Sequence, residues 1–267
     1  MKSNPLLYGL YQIYKWLVFI PLVLTSMVFF SLLAIILSIL VSPNMGYWGG
    51  VLWSKFSCLM TPLLFSIHGR NNVNKDECYV LVANHQSYYD VLLLVGFLPL
   101  NLKWVMKMEL KKIPVFGFAC EKVGHIFVDR GNRKAALASV EKAKATIQGG
   151  SGIMFMPEGT RSCDGKLLPF KKGAFRFALD IGLPIVPVTI AGTNRILPKG
   201  TIDIFPGRAS IIIHEPIDPA KYGEDKMEEL IAAVREKIQQ GLDEFEREHI
   251  QPVQSTKQQI VSTHIAA

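Results

Sequence analysis

Between Lys15 and Lys55 the chain carries no charged side chain, and no acidic residue occurs before Asp76. This constrains the fold more than any motif does. Trp16 to Val41 is a nearly unbroken apolar run, and as a helix rising about 1.5 Å per residue it outreaches a hydrocarbon core of about 30 Å. A secretory signal peptide has a shorter apolar core followed by a small-residue cleavage site. Here the run ends at Ser42-Pro43-Asn44 and a second apolar stretch follows, Met45 to Ile67. Two geometries fit: a single span, or a hairpin turning near Pro43-Asn44-Met45-Gly46 with both ends on one side. Lys2 and Lys15 precede the pair, and Arg70 and Lys75 follow it. That distribution favours both ends in the cytosol. Tyr8, Tyr11, Tyr14, Trp16, Tyr47, Trp48 and Trp53 are suited to anchor at the interface. Residues 1–67 are therefore expected to form a membrane segment of one or two apolar helices, with the remainder of the chain facing the cytosol.

From Cys78 onward the pattern changes. Short apolar or β-branched runs (Cys78–Ala83, Trp104–Met106, His125–Val128, Gly152–Met156, Ile185–Ile190, Ser210–His214) alternate with helical stretches (Tyr88–Phe97, Arg133–Gln148, Lys172–Ile181, Asp225–Glu246). The last helix carries Met227, Leu230, Ile231, Val234, Ile238, Leu242 and Phe245 at helical spacing, a stripe that reads as a core face. Strand–helix alternation predicts an α/β fold over residues 68–250, with a mostly parallel central sheet flanked by helices. Residues 251–267 read as a polar, loose tail.

A hydrophobic content of 49% excludes a disordered chain. The net charge of +7 suits a membrane surface, an acidic carrier protein or a phosphate-bearing substrate. Nucleic acid is set aside as a partner, because no basic–aromatic binding motif is visible. The four cysteines are isolated, which reads as reduced thiols and leaves no zinc-ligand spacing.

Two blocks carry the chemistry, and both follow apolar strands, where catalytic groups of α/β sheets collect. The first is Asn84-His85-Gln86-Ser87-Tyr88-Tyr89-Asp90. Positions five apart in one helix diverge by about 140°. His85 is therefore expected in the turn, with Asp90 in the first helical turn, accepting the imidazole N–H. That bond would fix the tautomer and leave the other ring nitrogen as a general base. No Gly-x-Ser-x-Gly nucleophile is present, so attack by an activated substrate hydroxyl is the simpler scheme. The second block is Phe155-Met156-Pro157-Glu158-Gly159-Thr160-Arg161-Ser162. Its glycine permits a tight turn, and its arginine offers a planar fork for phosphate oxygens. A third block, Gly124-His125-Ile126-Phe127-Val128-Asp129-Arg130, ends another strand with a basic residue. A fourth, Leu183-Pro184-Ile185-Val186-Pro187-Val188, is a proline-flanked strand and reads as scaffold.

Together, in this order, the four blocks resemble the glycerophospholipid acyltransferase family, most closely its 1-acylglycerol-3-phosphate O-acyltransferases. The resemblance covers roughly Tyr79 to Ile217. It implies transfer of a fatty acyl group from acyl-CoA or acyl carrier protein to the sn-2 hydroxyl of lysophosphatidic acid, giving phosphatidic acid, with no metal or cofactor. It further implies that His85 is the general base and Asp90 its orienting partner. Glu158, Gly159, Thr160 and Arg161 would belong to the acceptor site, with Arg161 on the phosphate. Arg130 and Lys107 resemble further phosphate-side cations, Lys107 with Lys103, Lys111 and Lys112 as neighbours. Another lysolipid acceptor, such as a lyso-ornithine lipid, is the alternative. Lysines between Lys103 and Lys112 offer a docking surface for an acidic carrier or for anionic lipid.

Overall fold

The computed structural model describes residues 5–61, 63–129, 131 and 150–249. In chain order the principal elements are α1 (Pro5–Tyr14), α2 (Ile20–Leu40), α3 (Pro43–Leu59), β1 (Leu63–His68), β2 (Tyr79–Ala83), α4 (Tyr89–Phe97), β3 (Asn101–Lys107), α5 (Phe116–Val123), β4 (Ile126–Val128), β5 (Ser151–Phe155), α6 (Gly173–Ile181), β6 (Ile185–Ala191), α7 (Thr193–Ile196), β7 (Gly207–Ile213) and α8 (Met227–His249). They fall into two compact units.

The smaller unit holds the N-terminal helices. A π-helical turn, Lys15–Phe19, joins α1 to α2. Pro21, which has no N–H and crowds the carbonyl of the preceding turn, follows immediately. Pro5–Leu40 is one continuous helical stretch, long and apolar enough to cross a membrane, and only 11% of its most apolar window is buried within the protein. A core helix of a soluble protein would be mostly covered. The chain reverses at Val41–Ser42: the Ser42 hydroxyl accepts the Met45 N–H at 3.2 Å and caps α3, and Pro43 supplies its first residue. The two helices then run back against each other at close range. A β-carbon on Gly46 would fall 1.8 Å from Ser38 Oγ, and one on Gly49 would fall 2.7 Å from Ala34 Cβ. Small residues permit this approach, as they do between helices in lipid. In the same unit β4 pairs parallel with β3.

The larger unit holds five strands in the order β1-β7-β6-β2-β5. β2 is parallel to both β5 and β6, β6 and β7 are antiparallel, and β1 is parallel to β7. The sheet is therefore mixed and mostly parallel. Every residue of β2, β5 and β6 is buried, which is why their sequences are continuous apolar runs without alternation. Helices α6 and α8 pack on this sheet. The buried face of α8 is the stripe Met227, Leu230, Ile231, Val234, Ile238, Leu242 and Phe245.

The structure differs from the sequence reading in three places. The second apolar stretch ends as helix at Leu59, and Leu63–His68 is an edge strand paired with β7, so Leu63 to Ile67 belong with the sheet and not with the membrane segment. Helix α5 was not expected. Lys103 does not contribute to a docking surface: it is 3% exposed and donates from Nζ to the Val123 carbonyl at 2.7 Å. The expected helix Arg133–Gln148 and the tail lie outside the described residues.

Candidate active site

β2 ends at Ala83, and the next seven residues build the site. Asn84 first anchors the turn. Its carboxamide donates to the Ile190 carbonyl and accepts the Ile190 N–H, each at 2.8 Å, so it stands in for a strand residue against β6. His85 follows in the loop. Asp90 is in the first turn of α4, fully buried, and its Oδ2 accepts His85 Nδ1–H at 2.8 Å. The same oxygen accepts the N–H groups of Gln86 (2.6 Å) and Ser87 (2.9 Å). Oδ1 accepts the hydroxyl of Thr193 at 2.5 Å. Four donors thus converge on one buried carboxylate, which offsets the cost of burying its charge. The imidazole is 17% exposed on its side chain, so its second nitrogen keeps an opening that Asp90 lacks.

The second block reaches the first through the backbone of His85. Glu158 Oε1 accepts the His85 N–H at 3.0 Å, while Oε2 accepts the Leu168 N–H at 3.2 Å. The His85 carbonyl accepts the Ser162 N–H at 2.8 Å. Burial pushes the Glu158 carboxyl up to about 6. The two backbone N–H groups and His85 pull against that shift, and Asp90 adds to it. Gly159 has φ +71°, a backbone conformation that favours glycine. The Arg161 guanidinium lies over the ring of Tyr88, 3.8 Å from its centroid, and Nη1 is buried with no hydrogen-bond partner among the described residues. Lys199 Nζ donates to the Arg161 carbonyl at 2.6 Å and to Thr160 Oγ1 at 3.3 Å. An open cleft of about 480 Å³ is bounded by Tyr88, Arg161 and the Gly200–Asp203 loop.

The structure therefore brings together His85, Asp90, Glu158, Gly159, Thr160 and Arg161. Lys107 ends β3 in the smaller unit, where its half-exposed ammonium pairs with Glu109 at 2.9 Å. Arg130 lies outside the described residues. Three contributors escaped the sequence reading: Thr193, Tyr88 and Lys199. Thr193 follows β6 as His85 follows β2, but only the pairing of β2 with β6 brings it to Asp90. Nothing in the sequence pairs Lys199 with a loop 38 positions earlier.

A histidine–aspartate pair and an arginine-bearing turn meet at adjacent strand ends of the α/β domain, an arrangement that can take a proton from a hydroxyl beside an anion-binding fork. The family model described as Acyltransferase matches residues 65–191. A chloroplastic 1-acyl-sn-glycerol-3-phosphate acyltransferase of Brassica napus is 36% identical over 66% of this chain, and the match covers 50% of that protein. The enzyme of the same name from Salmonella typhimurium is 32% identical over 63% of this chain and 69% of its own length. Among solved structures, the 1-acyl-sn-glycerophosphate acyltransferase of Thermotoga maritima aligns with a TM-score of 0.72 at 30% identity, covering 90% of this chain and 92% of that one. The chain belongs to the 1-acyl-sn-glycerol-3-phosphate acyltransferase family. It spans about half the length of the plant relatives.

Proposed function

We propose that this protein transfers a fatty acyl group from a thioester, acyl-CoA or acyl carrier protein, to the sn-2 hydroxyl of 1-acylglycerol-3-phosphate. The observation that carries the reading is the 2.8 Å bond from His85 Nδ1–H to the buried carboxylate of Asp90. With Nδ1 committed as donor, Nε2 is an acceptor. It takes the proton of the acceptor hydroxyl as the oxygen attacks the thioester carbonyl carbon. The tetrahedral oxyanion then collapses, the carbon–sulfur bond breaks, and the thiolate recovers the proton from the imidazolium. Asp90 keeps its bond to Nδ1–H throughout and stabilises that cation. The thioester is already activated, so positioning and proton transfer suffice.

Arg161 supplies the phosphate contact. Arg161 borders a cleft wide enough for a headgroup, its Nη1 has no hydrogen-bond partner among the described residues, and stacking on Tyr88 holds the fork in one plane. The acceptor, the donor chain and the product all partition into lipid. This fits a chain whose helix Pro5–Leu40 is built to enter a bilayer, with the catalytic domain on the cytosolic side.

The test is acyl transfer in detergent, with labelled oleoyl-CoA and a panel of lysolipids, comparing wild type with His85→Ala. Transfer to lysophosphatidate that vanishes in the variant is expected. Preference for a different lysolipid would move the acceptor assignment, and full activity of His85→Ala would remove the base. Arg161→Ala is expected to cost phosphate-bearing acceptors about 2 kcal/mol in kcat/KM. An equal loss on phosphate-free lysolipids would separate Arg161 from the phosphate.

A further inference from the structure

One residue past His85, a second pocket opens that the acyl-acceptor scheme does not use. It has a volume of about 360 Å³, inside the range of about 300–1,000 Å³ typical of small-molecule sites. Its apolar lining is Leu167, Ala191, Leu242 and Phe245, four residues that pack on one another. Its charged groups balance: Lys166, Arg195 and Arg235 stand against Asp164, Asp243 and Glu246. Gln86, Asn194 and Gln239 add three carboxamides. The Gln86 side chain is 2% exposed. Its Nε2–H donates to the Gly165 carbonyl at 3.0 Å, yet its Oε1 has no partner among the described residues. An orphaned buried acceptor requires an explanation, and a ligand N–H in the pocket supplies one. Two glycines keep the space clear. A β-carbon on Gly165 would meet Asn194 Nδ2 at 2.9 Å, and one on Gly192 would meet the Phe245 ring at 2.7 Å.

This chemistry differs from that of the Arg161 cleft. A site with balanced charge, an apolar floor and carboxamide groups does not select a bare phosphate or an anionic bilayer. It suits a neutral, extended chain in which amides alternate with short apolar segments. A thioester donor brings such a chain to the catalytic histidine: the pantetheine arm, which acyl-CoA and acyl carrier protein share.

We propose that the pocket beside Gln86 seats the pantetheine arm of the acyl donor, so that donor and phosphate-bearing acceptor reach His85 through separate openings. The assignment rests on the acyl-transfer reading above and adds to it the place of the donor. It also gives the Gln86–Gly165 contact a purpose, since that contact ties the catalytic turn to the pocket wall.

Gln239 is exposed on α8 at the pocket rim, so Gln239→Trp blocks the pocket with little risk to the core. The expected result is a rise of about tenfold or more in the KM for oleoyl-CoA and for oleoyl-acyl carrier protein alike, with no matching rise in the KM for lysophosphatidate. Preference for oleoyl-CoA over a minimal oleoyl-N-acetylcysteamine thioester should collapse in parallel. An unchanged donor KM, a rise in the acceptor KM instead, or a rise for oleoyl-CoA alone would each overturn the assignment. Calorimetry with free CoA and with phosphopantetheine, on the non-turning His85→Ala protein with and without Gln239→Trp, reads the pocket independently of turnover. Binding that Gln239→Trp abolishes is expected, and it would stand even if no acyl transfer were found. No binding to the His85→Ala protein would refute the pocket while leaving acyl transfer untouched.

Discussion

At the scale of single residues, the site turns on how many donors one carboxylate satisfies. Asp90 accepts from His85, from two backbone N–H groups and from Thr193. The backbone pair fixes Oδ2, and Thr193 fixes Oδ1, so the carboxylate cannot rotate away from the imidazole. Thr193→Val keeps the shape and removes one donor. A hydrogen bond to a charged group contributes about 1.5–3 kcal/mol. With part of that lost from imidazole orientation, kcat should fall about tenfold with little change in either KM. Steady-state kinetics checks this, and wild-type kcat in a folded variant would remove Thr193 from the mechanism. Asp90→Asn should be worse on both counts. Its amide must place N–H groups against donors, so activity should drop by about 10²–10⁴ and the melting temperature should fall as well. The histidine and aspartate were legible because their five-residue spacing across a strand–helix junction admits only one way to meet. Thr193 was not, because 103 positions separate it from Asp90 and only the sheet topology brings them together.

At the scale of elements, legibility followed burial. β2, β5 and β6 are covered on both faces, so unbroken apolar runs marked them to within a residue or two. β1 was hidden by the same signal. Its residues continue the apolar composition of α3, and as a partly covered edge strand it shows no alternation to betray the change of element. Two elements carry predictions. Gly49→Leu places bulk where α2 and α3 nearly touch, and overpacking of this kind costs about 1–3 kcal/mol. Thermal unfolding in detergent should register it, and an unchanged midpoint would mean the helices separate freely. His125, at the entry to β4, accepts the Trp104 N–H on Nδ1. Burial, aided by the charge of Lys103, pushes it down to about 3 from an ordinary 6.5. Between those values the unfolded chain takes up a proton that the folded chain refuses. The contribution of His125 is therefore complete above about pH 6.5 and is lost as pH falls toward 3, by a few kcal/mol in all. His125→Gln should be less stable at neutral pH but flatter between pH 6.5 and 4. Parallel curves for the two proteins would dismiss the titration.

At the scale of the whole molecule, the question is how the proposed lipid-acylating site would meet a membrane. The helical stretch Pro5–Leu40 has 36 residues, about 54 Å at 1.5 Å per residue, far more than a core of about 30 Å requires. α3 has 17 residues, about 26 Å, and falls short of crossing on its own. An antiparallel pair with one long and one short arm is suited to entering a bilayer from one side, with the excess of the long arm remaining at the surface. The charges agree: Lys15 lies before the apolar arm, Lys55 lies near the end of the short one, and no charge lies between them. Lysines at both ends and none at the turn favour a hairpin with both ends in the same aqueous phase. The chain then enters β1 within a few residues of Leu59, and a hairpin would lead into the proposed catalytic domain on the side that holds the N-terminus. A cysteine at Tyr8 and the exposed Cys163 should accordingly react together with a membrane-impermeant maleimide when the cytosolic face of sealed vesicles is presented, and both should be protected when the opposite face is presented. Reaction of the Tyr8 position from the far side while Cys163 stays protected would establish a single crossing, and the short arm would then have to lie along the cytosolic interface instead of pairing inside the bilayer.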